Sequence, residues 1–389
     1  MAGILKRFSH RLMVVAAAAM LTVGTFAVAQ EFRGDHPDTY VVKRGDTLWD
    51  IAGRFLKRPW LWPEIWQANP QIQNPHLIYP GDTISLAYLD RVTVTPGPRT
   101  GETPINAIPL SMIEAYLRDA RVVDSFKDLP YVVAIEDDRS RGLTGHRVYI
   151  RGLDSAQVGQ HFTVVRPTVR YVRSGRRECC DLQSRNDYDF RGSQVHLFGL
   201  SWSETAEPEL RGEVIGNELY RVNGGSLTKV EQGRHRIATL LLDGANGEEV
   251  RVGDRLIPTE ARTYDLQFFP HPPKQPIESD GARVLSVANA LTSGGPLAVV
   301  ALSVGKQDGV DNGTVVSLWR QGTKENDHVL MARDRGPESV VPRHRVQLPD
   351  EYASHAMIFR TFDKVSYALV MQSVSPTRVG YLVKHPDAK

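Results

Sequence analysis

The chain has 389 residues, a formal net charge of +2, and 41% hydrophobic and 24% charged residues. That length suits two to three soluble domains with a sizeable core, and the near-neutral charge gives no argument for a nucleic-acid partner. Its two cysteines, Cys179 and Cys180, are adjacent, so the spacings of a metal site are absent and only a strained bridge could join them. They sit in a polar stretch, Ser174 to Arg191, that reads as a loop.

Residues 1–29 read as a secretory signal peptide. Lys6, Arg7 and Arg11 precede the uncharged apolar run Leu12 to Ala29, and Ala27-Val28-Ala29 forms a small-x-small cleavage site before Gln30. An uncleaved anchor is the alternative for an apolar run of this length. The alanine content and the cleavage site favour removal. No cysteine lies beside the site, so a lipid-modified N-terminus is not expected. Loss of the three cations takes the net charge from +2 to −1, which gives no strong electrostatic hold on a membrane.

Residues 39–89 form the first module. Tyr40-Val41-Val42 opens as a strand and Gly45-Asp46 breaks it. Thr47 caps a helix with Asp50 three residues on, and Leu48, Ile51, Ala52 and Phe55 give that helix an apolar face. Pro59 ends it, and Pro63 suits the first turn of a second helix through Ile65, Trp66 and Ala68, stopped by Asn69-Pro70. Ile78 leads into Pro80-Gly81, and Thr83 to Leu86 alternates as a closing strand. Of six tryptophans, Trp49, Trp60, Trp62 and Trp66 fall here. Trp66 is expected in the core beside Trp62, and Trp60 at the surface.

This βααβ stretch resembles the LysM family in Tyr40-Val41-Val42, Gly45-Asp46-Thr47-Leu48, Ile51-Ala52, Ile65, Asn69, Ile78, Pro80-Gly81 and Ile84. The link Lys57 to Pro63 is longer than in the shortest members. The resemblance implies binding of N-acetylglucosamine-containing glycan, in bacteria usually peptidoglycan. It also implies a groove between two facing loops: Gly45, Asp46, Thr47 and Leu48 on one side, and Asn74, His76, Leu77, Ile78 and Tyr79 on the other. Ile78 is expected to line the groove wall.

Residues 90–109 read as a proline-rich linker. Leu110, Ile113, Leu117 and Val122 then suggest a short amphipathic helix that opens a β-rich domain over 110–270. Strands are expected at Tyr131 to Ile135, Val148 to Ile150, Phe162 to Val165, Ala238 to Leu242 and Arg255 to Ile257. A second linker, His271 to Pro276, precedes a second β-rich domain over 277–389. Its expected strands are Arg283 to Val287, Leu297 to Leu302, Met357 to Phe359 and Ala368 to Met371, with an exposed charged loop from Thr323 to Val346. A degenerate repeat places a glycine turn before a strand at Gly159, Gly253 and Gly313, as in small barrels. The fold class is therefore α+β: a small βααβ module followed by predominantly β domains, barrel-like or sandwich.

The whole arrangement resembles secreted LysM-bearing proteins of Gram-negative bacteria with a long β-rich C-terminal region. The resemblance rests on the leader, the Trp-rich module, Gly253-Asp254-Arg255-Leu256-Ile257-Pro258 and Val365 to Met371. It implies a periplasmic location and a peptidoglycan ligand, not a reaction. The β-rich remainder is expected to contact an envelope protein. Wall-enzyme signatures are missing. The histidines never occur as His-x-His, and neither H-E-x-x-H nor G-x-S-x-G is present. Glu278-Ser279 echoes a transglycosylase dipeptide but lies beside a proline-rich stretch, and Glu136-Asp137-Asp138 reads as a turn. The expectation is a binding protein without catalytic residues, cofactor or metal. The alternative is a LysM-targeted wall hydrolase with an unrecognised site.

Overall fold

The computed structural model describes residues 36–75, 78–86, 110–153, 156–173, 204–205, 213–231, 237–245, 247–259, 269–277, 281–288, 294–327, 329 and 345–388. The expected leader, the 90–109 linker, Cys179, Cys180 and Glu278-Ser279 lie outside these residues. The chain divides into two compact units, Met1–Pro109 and Leu110–Lys389.

The first unit carries β1 (Thr39–Val41), α1 (Leu48–Phe55), a 3-10 turn (Pro59–Leu61), α2 (Trp62–Gln67) and β2 (Thr83–Ser85). Helix α1 starts where the sequence places it. Thr47 Oγ1 accepts from the Asp50 N–H at 3.1 Å, and Asp50 Oδ2 accepts from the Thr47 N–H at 3.1 Å. Strands β1 and β2 pair antiparallel with Tyr40 opposite Ile84. The buried Asn69 ties the end of α2 to this sheet. Its Nδ2 donates to the carbonyls of Ile65 and Ser85, and its Oδ1 accepts from the Ser85 N–H at 2.7 Å. Leu48, Ile51, Leu56, Ile65, Ile78 and Ile84 form the core, joined by Trp49, Trp60 and Trp62.

The second unit begins with α3 (Leu110–Arg118). Val122, expected on that helix, instead sits in β3 (Ala120–Val123), which pairs with the long strand Glu213–Val230. The remaining strands are β4 (Tyr131–Ile135), β5 (Arg147–Arg151), β6 (His161–Arg173), β7 (Glu204–Thr205), β8 (Glu213–Val230), β9 (Ile237–Leu242), β10 (Arg255–Pro258), β11 (Val284–Val287), β12 (Val299–Leu302), β13 (Val315–Arg320), β14 (Lys324–Asn326), β15 (Arg345–Gln347), β16 (Glu351–Thr361), β17 (Ser366–Ser373) and β18 (Leu382–Lys384). The stretch expected as an exposed loop thus holds a two-stranded ribbon, β14 with β15. The proline-rich stretch from His271 lies along β13, with the Val315 N–H donating to the His271 carbonyl at 2.8 Å.

The strands form two closed barrels of the same topology. In the first, β4-β5-β9-β8-β6-β10 returns to β4; in the second, β11-β12-β17-β16-β13-β18 returns to β11 through the Arg283–Leu382 bridge. Counted along the chain, both run 1-2-5-4-3-6. The register agrees residue by residue. Gly253 N–H donates to Val132 O and Val132 N–H to Asp254 O; the counterparts are Gly380 to Val284 O and Val284 to Tyr381 O. Gly142 bridges Val250 as Gly294 bridges Thr377. Gly159 N–H meets Leu227 O as Gly313 N–H meets Ile358 O. Even the bulge recurs, between Leu227 and Lys229 and between Ile358 and Arg360. Gly159, Gly253, Gly313 and Gly380 all have φ between 86° and 97°, the conformation that the third residue of a type II turn requires. Of the turn glycines seen in sequence, Gly159 and Gly313 mark equivalent corners of a duplicated barrel, while Gly253 is the counterpart of Gly380 and not of those two.

Each barrel has its own apolar filling. Val132, Val148, Ile150, Phe162, Leu240 and Leu256 belong to the first; Val284, Val300, Leu318, Ile358, Val370 and Val383 belong to the second. Both lie in one compact unit because β6 and β8 run on beyond the first barrel and carry side chains to the second. Strand β7, from the first of the two segments, also pairs with β11 of the second barrel.

Candidate functional site

The two loops that the sequence singles out leave the same end of the β1/β2 sheet. Val42, just after β1, donates its N–H to Asp82 O at 2.8 Å and accepts from the Gly81 N–H at 2.9 Å. The loop over 43–47 and the loop leading into β2 are thereby held on either side of one short ladder.

The first loop is organised by Asp46. Its carboxylate is 4% exposed and accepts from Tyr40 Oη at 2.7 Å, from the Lys43 N–H at 2.8 Å and from Arg54 Nη2 at 2.8 Å. Burial pushes the Asp46 pKa up, but the Tyr40 and Lys43 hydrogen bonds and the Arg54 charge outweigh it, so the carboxyl sits below its ordinary value. Tyr40 also accepts a hydrogen bond from Arg54 and packs edge-on against Phe55. Asp46 thus shapes the loop, and its oxygens are spent on doing so. Gly45 is exposed with φ 90°, and a Cβ there would meet nothing within 4 Å. Conformation, not space, calls for glycine.

The remaining candidates divide by burial. Leu48 and Ile78 are 0% and 1% exposed, so both belong to the core. Ile78 therefore does not line the groove with its side chain as expected. Thr47, Asn74 and Tyr79 are half-buried, with the Tyr79 N–H donating to Asp82 Oδ2 at 3.0 Å. His76 and Leu77 lie outside the described residues.

Two tryptophan expectations are reversed. Trp60 is buried, because the 3-10 turn after Pro59 folds it inward against α1. Trp66 is the half-buried one, its Nε1 donating to Ile72 O at 2.6 Å. Its six-residue helix turns Trp62 and Ile65 fully inward and leaves Trp66 at the margin.

Residues 40–87 match the LysM domain family. This module is a LysM domain. LysM domains bind peptidoglycan- and chitin-type glycans, and the β-rich remainder lies outside the match. The chain is also 40% identical over 60 residues to the Uncharacterized protein YqbP of Bacillus subtilis (strain 168). The alignment covers 13% of this chain and 27% of that protein.

One polar cluster on the first barrel was not singled out from sequence. His161 lies between Thr259 Oγ1, 2.9 Å from Nδ1, and Asp243 Oδ1, 2.9 Å from Nε2. Ser226 donates to the other Asp243 oxygen and Thr163 meets Thr259 at 2.8 Å. Burial raises the Asp243 pKa, but the Ser226 and His161 contacts bring it below its ordinary value. The residues come from β6, β8 and the ends of β9 and β10, so no local motif announces them. Among the described residues no group of three or more His, Cys, Asp or Glu side chains is placed to hold a metal ion.

Proposed function

We propose that this is an exported, non-catalytic protein of the periplasm whose LysM domain holds N-acetylglucosamine-containing peptidoglycan and whose tandem barrels contact an envelope protein. The observation that carries the reading is the shared exit of the Gly45–Leu48 and Asn74–Tyr79 loops from one end of the β1/β2 sheet, in a domain whose family binds such glycans. A neutral sugar is recognised by backbone polar groups and apolar contact in a shallow groove. The exposed Gly45 leaves backbone accessible, and the buried Asp46 holds that backbone in place.

Sedimentation with purified peptidoglycan tests this. The protein is expected in the pellet, with little loss at high salt because no ligand charge is neutralised. A truncated protein lacking 110–389 should still sediment, and Gly45→Val should not. Retention by the barrels without the LysM domain would overturn the assignment. N-terminal sequencing of the secreted form should begin at or near Gln30.

The second reading, a wall hydrolase, draws on the Thr259–His161–Asp243 chain, which could draw a proton from a hydroxyl. The cluster lies at strand ends where His161, Asp243 and Thr259 are exposed to water. Zymography decides: lysis by wild type and none by His161→Ala would favour the hydrolase.

A further inference from the structure

We infer that the outer face of β4, β5 and β9 in the first barrel docks an acidic helical segment of a partner protein. This deepens the reading of the barrels as a protein-contact region and rests on it.

The duplication supplies the argument. By register, Arg147, Tyr149 and Arg151 of β5 correspond to Val299, Ala301 and Ser303. Thr239 and Leu241 of β9 correspond to Tyr367 and Leu369, and Lys229 beside the bulge corresponds to Arg360. In the second barrel this face is closed: Val299, Ala301, Tyr367 and Leu369 are all 0% exposed. Part of what covers it is the end of a helix. The Tyr116 ring of α3 stands edge-on to Tyr367 with centroids 6.0 Å apart. Arg360 donates to the carbonyls of Tyr116 and Leu117 near the C-terminus of α3, where helix carbonyls lack intrahelical partners.

In the first barrel the same face is open. Tyr149 and Val133 are 36% and 39% exposed. Arg147 and Arg151 are exposed and have no hydrogen bond or ion pair among the described residues. Lys229 is exposed and pairs with Glu231, two residues along its own chain. An architecture that seats a helix end on this face in one copy thus presents the same face, now cationic, in the other. Two unpaired guanidiniums flanking a tyrosine match what recognition surfaces use: an aromatic anchor with charges that steer and orient. Four residues along a strand separate the two arginines by about 13 Å, about two and a half turns of helix. The complementary segment therefore carries carboxylates two to three turns apart on either side of an apolar contact for Tyr149.

A photo-crosslinking residue tests this in producing cells. p-Benzoylphenylalanine replaces Tyr149 in the full chain, and Val374, 77% exposed after β17, serves as the control position. Adducts are mapped by mass spectrometry. The expected result is a principal adduct at position 149 within an acidic helical segment of one protein, absent from position 374 and lost when Arg147→Glu and Arg151→Glu are added. Unchanged thermal melting of the charge-reversed protein shows that it is folded. Adducts to lipid, to glycan or to a second copy of this chain overturn the proposal. So does an adduct that survives charge reversal, or none above the control. A protein adduct at position 149 that survives charge reversal leaves the protein-contact reading of the barrels standing while this proposal falls, so the two fail separately.

Discussion

Tyr367 of the second barrel donates its hydroxyl hydrogen to Glu218 Oε2 of the first at 2.6 Å. Tyr171 shares that oxygen at 2.9 Å, and Thr168 donates to Oε1 at 2.8 Å. Glu218 is 1% exposed, so a buried carboxylate is held by three hydroxyls drawn from both barrels. Arg173 to Ser303 O at 3.0 Å and Lys364 to Glu213 at 2.5 Å extend the joint. Such a joint is specific, because each buried oxygen must find its donor.

Tyr367→Phe removes one donor and keeps the ring. It should cost about 1–3 kcal/mol in urea unfolding. The single transition expected of the tandem barrels should broaden or split as their coupling weakens. Burial, then the Glu218 charge, pushes the Tyr171 and Tyr367 phenols well above their ordinary value. The folded state therefore keeps protons that the unfolded state releases, so this contribution is intact below about pH 10 and falls as pH rises beyond it. Phenolate absorbance followed during alkaline titration checks the order: these two tyrosines should ionise with unfolding.

Leu297 has φ 66° at the corner where the first barrel has Gly145 with φ 93°. A leucine there carries left-handed strain of roughly 1–2 kcal/mol. Leu297→Gly is expected to raise the melting temperature of the tandem barrels. Gly145→Leu should lower it by a similar amount. Equal and opposite shifts in thermal unfolding would support the equivalence of the corners.

The Asn69 side chain makes four hydrogen bonds inside the LysM domain, to Ile65, Gln71 and both backbone groups of Ser85. Asn69→Ala leaves buried backbone groups unpaired and should cost about 2–4 kcal/mol, one to two such groups. Glycan sedimentation should fail only as far as the domain unfolds. Circular dichroism on the truncated protein lacking 110–389 separates folding from binding.

His355 is a pH-sensitive tie near the C-terminus. Tyr352 Oη lies 2.6 Å from Nδ1 and Pro386 O lies 3.1 Å from Nε2. Burial holds the imidazole below its ordinary pKa and pushes Tyr352 up to about 12. The neutral ring can accept from Tyr352 and donate to Pro386; the protonated ring cannot accept. Its contribution is present above the unfolded value near 6.5 and is lost as pH falls through the lower folded value. Hydrogen-exchange protection at the residues around Pro386, corrected for the intrinsic rate, should fall as pH drops through that lower value. His355→Gln should flatten that dependence.

Much of the LysM domain was legible in local sequence. A threonine with an aspartate three residues on, an apolar helical period, a proline in a first turn and two alternating strands each act over a few residues. The barrel strands with clean alternation, such as β5 and β9, were legible for the same reason. Strand β8 was not. It carries Gly216, Asn217, Asn223, Gly224 and Gly225, residue types that favour turns, yet all lie in one long strand. Gly225 is there because β9 comes so close that a Cβ would stand 2.7 Å from Leu241 O. Asn223 fits because its side chain accepts the Gly224 and Gly244 N–H groups.

The sequence by itself determined the LysM domain, the β character of the rest and the positions of the turn glycines, because capping, periodicity and positive φ are properties of neighbouring residues. Tertiary structure alone decided which strands close each barrel, that the two barrels share one order, and that Trp60 is covered while Trp66 is not. It alone brought Glu218 to Tyr367 across 149 positions. These depend on contacts between residues far apart in the chain, whose free energy appears only when the packed partner is in place.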